Sequence, residues 1–249
     1  MKNIIIGNAN GNTFVIIKNN DYKITSKLIK KICCEYNTDA LIHLNDLNLN
    51  TLSMDYYNND GTWETLCLNG LTCVGLILKS NFKNRSLIVK CGPKKYKLKI
   101  LESENIEIEL PKPEYKSEKI KFDNYEGYYI DSGAKHFIVN IDSDWPEHSD
   151  LIKISQKIRY DFNKFPEGIN VNFYKIINDT TIEVITYEKG VEKLMDSCAS
   201  GSYASAFHFH TKQNEIFIIN KGGNFSFKFE KYYKKNYLIN TGHIAYINK

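Results

Sequence analysis

Two segments of the sequence share a pattern that constrains the fold more than any other feature. In "ETLCLNGLTCVGLIL" (64 to 78) and "DSCASGSYASAFHF" (196 to 209), a cysteine is followed two and three residues later by a small polar residue and a glycine, then by a helix-compatible run. The cysteines, Cys67 and Cys198, lie 131 residues apart in a chain of 249. The pattern predicts a duplicated unit, in which each half contains a helix that begins at a cysteine.

The segments around these two helices favour strands. In the first half, "ALIHL" is typical of a strand and "IEIEL" alternates strictly at period 2; in the second half, "HFIVNI" and "TIEVITYE" are rich in β-branched and aromatic residues. Further helices are predicted at 25 to 37, with Thr25 or Ser26 as the N-cap, and near 149 to 159. The predicted fold class is therefore α+β. The proline-rich and charged segment "PKPEYKSEK" (111 to 119) predicts a boundary between two domains.

Composition excludes several classes of protein. The net charge is only +4, and the basic stretches "KKYKLK" (94 to 99) and "KYYKK" (231 to 235) belong to no wider basic pattern, so no nucleic-acid partner is predicted. No apolar run approaches the roughly 20 residues that cross a bilayer. The N-terminus lacks the apolar region and cleavage site of a signal peptide. We therefore expect a cytoplasmic protein with no membrane partner.

The cysteines point to thiol chemistry rather than to a disulfide framework. In a cytoplasmic protein they are expected to be reduced, and none form a Cys-x-x-Cys pair, so no metal site is predicted. Away from the two helix starts, the cysteines are predicted to be core residues: Cys33, Cys34, Cys73 and Cys91.

A cysteine at a helix start is suited to proton transfer. The first four N–H groups of a helix lack intrahelical partners, and the helix dipole favours negative charge there. Thiols at such positions have pKa values of about 3.5 to 7.5, against about 8.5 for free cysteine. Gly70 and Gly201 would let the two helix starts approach a carboxylate closely. Two thiols of this kind suit the inversion of a carbon centre, in which a base removes a proton from one face and an acid returns one to the other.

With these residues in view, the sequence resembles the diaminopimelate epimerase family of cofactor-independent, two-cysteine racemases and epimerases. The resemblance extends through most of the chain, because matching segments occur in the family's order. They are "GNTF" (11 to 14), "YYNNDGTWETLCLNG" (56 to 70), "GAKHFIV" (133 to 139), "FPEGINVNF" (165 to 173), "YEKG" (187 to 190), "SCASGS" (197 to 202) and "NTGHI" (240 to 244).

The resemblance implies an architecture. It implies two pseudo-symmetric domains, each a curled, mainly antiparallel sheet around a central helix, with the active site in the cleft between them. The first domain would comprise 1 to 113 together with 238 to 249, and the second 114 to 237. It also implies a small-molecule amino-acid substrate and no cofactor, and because dimers are common in the family, it allows a homodimer.

The resemblance also implies roles for individual residues. Cys67 and Cys198 would be the acid/base pair, and His136 and Glu188 would help to polarise them. The positions that match substrate-binding residues, including the backbone amides around the reacting carboxylate, are Asn12, Asn58, Leu68, Asn69, Gly70, Asn170, Lys189, Ala199, Ser200 and Gly201.

Departures from the family pattern bear on the substrate. Lys189 stands where the diaminopimelate enzymes have an arginine that grips the distal carboxylate, and a lysine lacks the bidentate fork of that arginine. Ala134 and Lys135 replace an asparagine and a proline, and Ala40 replaces a glutamine. These changes favour a substrate with one amino-acid head group and a different tail. Histidine is our best expectation; diaminopimelate or lanthionine is the alternative.

Other interpretations remain open from the sequence. A Cys–His hydrolase using Cys198 and His136 would leave the Cys67 segment unexplained. A non-catalytic amino-acid-binding module would be expected to lose one of the two cysteines, and both are present. Glu188 beside Lys189 is also typical of an ordinary surface ion pair.

Overall fold

The computed structural model describes residues 4–18, 23–48, 51–64, 67–82, 86–103, 105–210, 214–230 and 234–247. The first three residues of "KYYKK" lie outside these ranges. The chain divides into two compact units, which we call unit 1 (Met1–Leu110 with Tyr237–Lys249) and unit 2 (Pro111–Asn236). The boundaries expected from the sequence were 113/114 and 237/238. Pro111 belongs to unit 2, where its carbonyl accepts a 2.8 Å hydrogen bond from the Tyr203 hydroxyl.

Unit 1 is a mixed sheet with two helices. Its helices are α1 (Ser26–Tyr36) and α2 (Leu68–Phe82). Its strands are β1 (Ile4–Ala9), β2 (Asn12–Lys18), β3 (Ala40–Asn48), β4 (Thr51–Asn58), β5 (Trp63–Glu64), β6 (Ser86–Cys91), β7 (Lys94–Ile100) and β8 (Ile106–Leu110).

Unit 2 contains α3 (His148–Arg159) and α4 (Ala199–Phe209). Its strands are β9 (Glu114–Tyr115), β10 (Ile120–Phe122), β11 (Tyr125–Asp131), β12 (Lys135–Asn140), β13 (Asn170–Asn178), β14 (Thr181–Glu188), β15 (Lys193–Met195), β16 (Glu215–Asn220) and β17 (Gly223–Glu230). The chain then forms β18 (Lys235–Asn240) and β19 (His243–Ile247), and β19 pairs with β1 of unit 1.

The two units repeat one order of elements. In unit 1, the β1–β2 hairpin leads through α1 to β3, which is parallel to β2; β4 follows antiparallel, and α2 leads to β6, parallel to β4. In unit 2, β11, β12, α3, β13, β14, α4 and β16 repeat each step with the same strand directions. Even the two-stranded pairing just before each cysteine recurs, as β5 against β4 and β15 against β14. The predicted α+β fold class is confirmed.

The helices of each unit pack in two ways. The helix α1 buries one face, including Ile29, Ile32 and Cys33, against the strands of unit 1. By contrast, α4 is buried on nearly all sides, and α2 and α4 each contact strands on several sides of their own sheet. A helix enclosed in this way cannot be amphipathic, which explains the unbroken apolar or small-residue runs after both cysteines.

The helix predictions agree closely with the structure. Helix α1 begins after Thr25, whose side chain accepts a hydrogen bond from the Leu28 N–H, so Thr25 and not Ser26 is the N-cap. One core prediction is wrong. Cys33 is buried but Cys34 is exposed, because adjacent helical positions differ by about 100° and only one can face the sheet.

Candidate functional site

Cys67 precedes the first residue of α2. Its carbonyl accepts the first bond of the helix, from the Leu71 N–H at 2.9 Å. Its partly exposed sulfur accepts a bond from the Gly70 N–H at 3.3 Å. The side chain therefore satisfies one of the amides that a helix start leaves without a partner, and an N–H directed at sulfur favours the thiolate form.

Asn12 connects the sulfur of Cys67 to the exposed carboxylate of Asp39. Asn12 Oδ1 lies 3.8 Å from Cys67 Sγ, and Asn12 Nδ2 donates to Asp39 Oδ2 at 3.3 Å. The same carboxylate oxygen accepts from the Thr13 N–H and the Thr13 hydroxyl, each at 2.8 Å. Asp39 therefore fixes Asn12 beside the cysteine, a contribution that the sequence did not reveal.

The first turn of α2 is anchored by Asn240, at the end of β18. Asn240 Nδ2 donates to Thr72 Oγ1 at 3.2 Å and lies 3.5 Å from Asn69 Oδ1, while its Oδ1 accepts from Asn10 Nδ2 at 3.0 Å. Leu68 and Asn69 are buried, so both side chains face the interior of unit 1. Their expected contribution to a ligand is thus limited to the backbone.

Asn58 is the last residue of β4. Its Oδ1 accepts from the Tyr56 hydroxyl at 3.1 Å, and its Nδ2 donates to Thr62 Oγ1 at 3.0 Å. An amide group has two donor hydrogens and two acceptor lone pairs. One donor and one acceptor position of Asn58 thus remain beyond these two bonds.

Cys198 holds the equivalent position in unit 2. It is the N-cap of α4, with extended backbone (φ −139°), and its carbonyl accepts from the Ser202 N–H at 2.9 Å. Its sulfur is partly exposed and lies 3.6 Å from Ser200 Oγ. The two predicted cysteines thus begin equivalent internal helices but have different sulfur neighbours.

His136 is fully buried behind the start of α4. Its Nε2 lies 3.1 Å from Ser200 Oγ and its Nδ1 lies 2.8 Å from Asn172 Oδ1. Asn172 Nδ2 in turn bonds to Thr186 Oγ1 at 2.6 Å. Burial lowers the pKa of His136 to about 4, although the Asn172 bond and the Asp131 charge act in the opposite direction. The imidazole is therefore neutral at pH 7.

The small residues at the start of α4 are required because the helix packs against the Asn172 side chain, which bonds to His136. A Cβ on Gly201 would lie 2.9 Å from Asn172 Cγ and closer still to its Nδ2. Ala199 is also buried. The Ser-Gly pair after Cys198 therefore allows α4 to pack directly on the amide that holds His136.

Asn170 and Lys189 are joined through the backbone. Asn170 Oδ1 accepts from the Lys189 N–H at 2.8 Å, and Asn170 Nδ2 donates to the Lys135 carbonyl at 2.9 Å. The Lys135 ammonium pairs with Glu167 at 2.7 Å. Glu188 is the last residue of β14, and its carbonyl accepts from the Glu192 N–H at 2.8 Å. Asn170 therefore ties together two of the segments where the sequence departs from the family pattern.

Two other cysteines have environments that oppose ionisation. Burial, with a smaller contribution from the charge of Cys67, raises the pKa of the Cys73 thiol far above its ordinary value. Burial raises the pKa of Cys91 to about 11. Both were predicted to be core residues, and both are buried.

In the described part of the chain, no three His, Cys, Asp or Glu side chains are grouped so that they could hold a metal ion. The same residues contain no helix that is both long enough and apolar enough to span a membrane.

Comparison with known proteins identifies the family. A diaminopimelate epimerase from Thermotoga maritima is 30% identical over 230 residues, which cover 89% of this chain and 92% of that protein. A diaminopimelate epimerase from Flavobacterium psychrophilum is also 30% identical, covering 89% of this chain and 88% of that one. No family model matches the sequence.

A solved structure has the same fold at low identity. A probable proline racemase from Agrobacterium radiobacter K84 has a TM-score of 0.71 at 12% identity, covering 99% of this chain and 93% of that one. Together, the fold and the relatives define an isomerase of the racemase and epimerase class. The chain belongs to the diaminopimelate epimerase family.

Several residues of the site were missed from the sequence. Asp39, Asn172 and Asn240 lie far in sequence from the predicted site residues that they contact, which are Asn12, His136 and Asn69, and Thr186 bonds to Asn172. The "NVNF" motif directed attention to Asn170, whereas Asn172, two residues further on the same face of β13, makes the bond to His136.

Proposed function

We propose that this protein is a cofactor-independent amino-acid racemase in which Cys67 and Cys198 are the two acid/base groups. The observation that carries the proposal is the repetition of one arrangement. Each unit has a partly exposed cysteine at the start of an internal helix, in the same position of the same series of elements. A hydrolase with one nucleophile has no use for the second copy, whereas inversion of a carbon requires two proton carriers.

The reaction follows from the chemistry of two thiols. One cysteine, as thiolate, removes the α-proton, and the other, as thiol, delivers a proton to the opposite face of the same carbon. Negative charge then develops beside the α-carboxylate. The N–H groups of the two helix starts, at Leu68 and Asn69 and at Ala199 to Gly201, are suited to stabilise it. Preorganised donors of this kind contribute about 10²- to 10³-fold each in other enzymes.

We propose histidine as the substrate. Lys189 offers a single point charge in place of a planar bidentate group. Both ends of the Asn170 side chain are engaged by the backbone at Lys135 and Lys189. Lys135 is itself paired with Glu167. These contacts support a tail that needs no carboxylate clamp. In this proposal, Glu188 meets the imidazole or polarises a cysteine, and Asn12 orients the head group.

Diaminopimelate or lanthionine is the second candidate. The relatives of 30% identity are named diaminopimelate epimerases. Asn58, Asn170 and Glu188 match positions of the family pattern, and Lys189 retains a positive charge where a distal carboxylate would bind.

The test is α-proton exchange in D2O, followed by NMR, with chiral analysis of the product. The reduced protein is incubated with L-histidine, LL-diaminopimelate, lanthionine and a panel of other L-amino acids. We expect exchange with inversion of histidine. Exchange of diaminopimelate instead would retain the two-thiol mechanism and refute the substrate. No exchange with any amino acid would refute the racemase itself.

A further inference from the structure

Ser200 lies between a cysteine of the proposed acid/base pair and a buried histidine. Its Oγ is 3.6 Å from Cys198 Sγ and 3.1 Å from His136 Nε2. The sequence suggested only its backbone amide as functional. The two distances show that the hydroxyl contacts both groups. Because one O–H can donate to only one of these neighbours at a time, it must accept from the other or leave it without a donated bond.

The direction of the bonds follows from the far end of the network. Asn172 donates through Nδ2 to Thr186, so its Oδ1 is the atom that faces His136 Nδ1, at 2.8 Å. An amide oxygen only accepts, so Nδ1 carries the proton of the neutral imidazole. Nε2 is then the acceptor, and the Ser200 hydroxyl donates to it.

The imidazole is held in this state by burial. His136 is 0% exposed, and the charge of Asp131 acts on it; the Asp131 carboxylate accepts a bond from the Gly133 N–H at 2.9 Å. The burial penalty on the imidazolium exceeds the effect of Asp131. The donor of Ser200 is thus committed to His136, and only the lone pairs of its oxygen are directed to Cys198.

We propose that Ser200 is the positioning residue of Cys198, accepting its S–H and thereby keeping the proton on that sulfur in the resting protein. This inference rests on the proposed function, since it assigns the two roles of the acid/base pair. Cys67 is the base, because its sulfur accepts the Gly70 N–H at 3.3 Å, whereas the oxygen that could accept its proton, Asn12 Oδ1, is more distant at 3.8 Å. Its thiolate takes the α-proton and leaves the electron pair on Cα. Cys198 then gives its proton to the opposite face and keeps the S–H electron pair as thiolate.

The experiment measures the ionisation of each sulfur separately. Iodoacetamide alkylation of Cys67 and Cys198 is followed by peptide mass spectrometry at pH 7 and again at pH 10. The ratio of the two rates at each cysteine reports its thiolate fraction and cancels differences in access. In the unmodified protein, we expect a pH 7 to pH 10 ratio about tenfold or more higher for Cys67 than for Cys198.

The variants isolate the hydroxyl. Ser200→Ala removes the acceptor of the S–H, and the loss of one hydrogen bond should raise the ratio of Cys198 about tenfold. Ser200→Thr keeps the hydroxyl and should restore the original ratio within twofold. Thr186→Val frees Asn172 to turn its NH₂ toward His136, which reverses the hydrogen bonds through Ser200. It should therefore also raise the pH 7 to pH 10 ratio of Cys198, without altering access to that sulfur. Ser205→Ala, a change of the same type on the same helix, should leave it unchanged.

An unchanged or lower ratio for Cys198 in Ser200→Ala would overturn the inference, as would a failure of Ser200→Thr to restore it in a folded protein. The alkylation needs no substrate, so it is independent of the exchange assay. A protein that exchanges no amino acid but shows the Ser200 effect would refute the proposed function alone. One that racemises an amino acid without the Ser200 effect would refute only the role of Ser200.

Discussion

The two units share a chain path but differ where the sulfur atoms lie. Both begin an internal helix with a cysteine, and in both the strands that precede and follow that helix pair in parallel. In unit 1, the cysteine contacts an amide N–H and Asn12, and in unit 2 it contacts a hydroxyl backed by a neutral imidazole. Duplication can therefore supply two equivalent positions, while a few side chains give them different proton affinities.

The largest expected effect tests whether both cysteines are needed. Cys67→Ala or Cys198→Ala should each lower racemisation by about 10²- to 10⁴-fold, because each removes one proton carrier. Initial rates and circular dichroism of the purified variants would measure this. Cys34→Ala, at an exposed position, is the matched control and should keep full activity. Full activity in either active-site variant would contradict the two-thiol mechanism.

Acid should weaken unit 2 before unit 1. The pKa of His136 in the folded chain, about 4, lies below its ordinary value of 6.5, so between these values the unfolded chain binds a proton that the folded chain excludes. The contribution to stability is complete above pH 6.5 and is lost as the pH falls toward 4, by up to about 3 kcal/mol. Burial also lowers the pKa of His208, in the same unit.

Hydrogen exchange by mass spectrometry, corrected for intrinsic rates, would compare peptides of β12 and β13 with those of β2 and β3 from pH 7 to pH 4.5. Loss of protection should come first in unit 2, and His136→Gln should reduce the difference between the units. Equal loss in both units would argue against a dominant effect of the buried imidazole.

The glycines at equivalent helix positions should differ in their tolerance of a methyl group. Gly201→Ala places a Cβ against the bonded Asn172 amide and should lower the free energy of unfolding by about 1–3 kcal/mol. Gly70→Ala meets Ile42 Cδ1 at 3.0 Å and Cys67 Sγ at 3.4 Å, which are smaller intrusions, so it should cost less. Chemical denaturation of both variants measures the difference, and the reverse order would be inconsistent with the described packing.

The smallest expected difference in stability is between variants at the N-caps of α1 and α3. Thr25→Ala removes the side-chain cap of α1 and should cost about 1 kcal/mol. Glu147, the N-cap of α3, makes no such side-chain bond, so Glu147→Ala should cost almost nothing. Thermal denaturation would detect the difference in melting temperature between these two variants. Thr25→Ser keeps the capping hydroxyl and should retain the stability of the unmodified protein.

Much of the fold could be predicted from the sequence because helix starts leave local signals. The cysteine, small-residue and glycine pattern located α2 and α4 to within about two residues, and Thr25 marked the start of α1. The phase of adjacent Cys33 and Cys34 could not be read from spacing alone, since either position fits an apolar stripe. Their different burial depends on which side of α1 the sheet covers.

The contacts within the candidate site could be predicted only where its motifs are contiguous. Cys67 with Gly70, and Cys198 with Ser200, are close in sequence and remain close in the structure. The bond between His136 and Asn172 depends instead on the parallel register of β12 and β13, where His136 pairs with Asn170. Sequence periodicity carries no information on that register. The contact between His136 and Asn172 therefore could not be predicted from the sequence.

The return of the chain to unit 1 has a consequence for synthesis on the ribosome. Strand β1 pairs with β19, and the first turn of α2 is anchored by Asn240. Unit 2 is continuous, whereas unit 1 lacks these last strands until 237 to 249 have been translated. Unit 1 is thus translated first but completed last. During synthesis, its sheet is still incomplete when all of unit 2 has been translated and can fold.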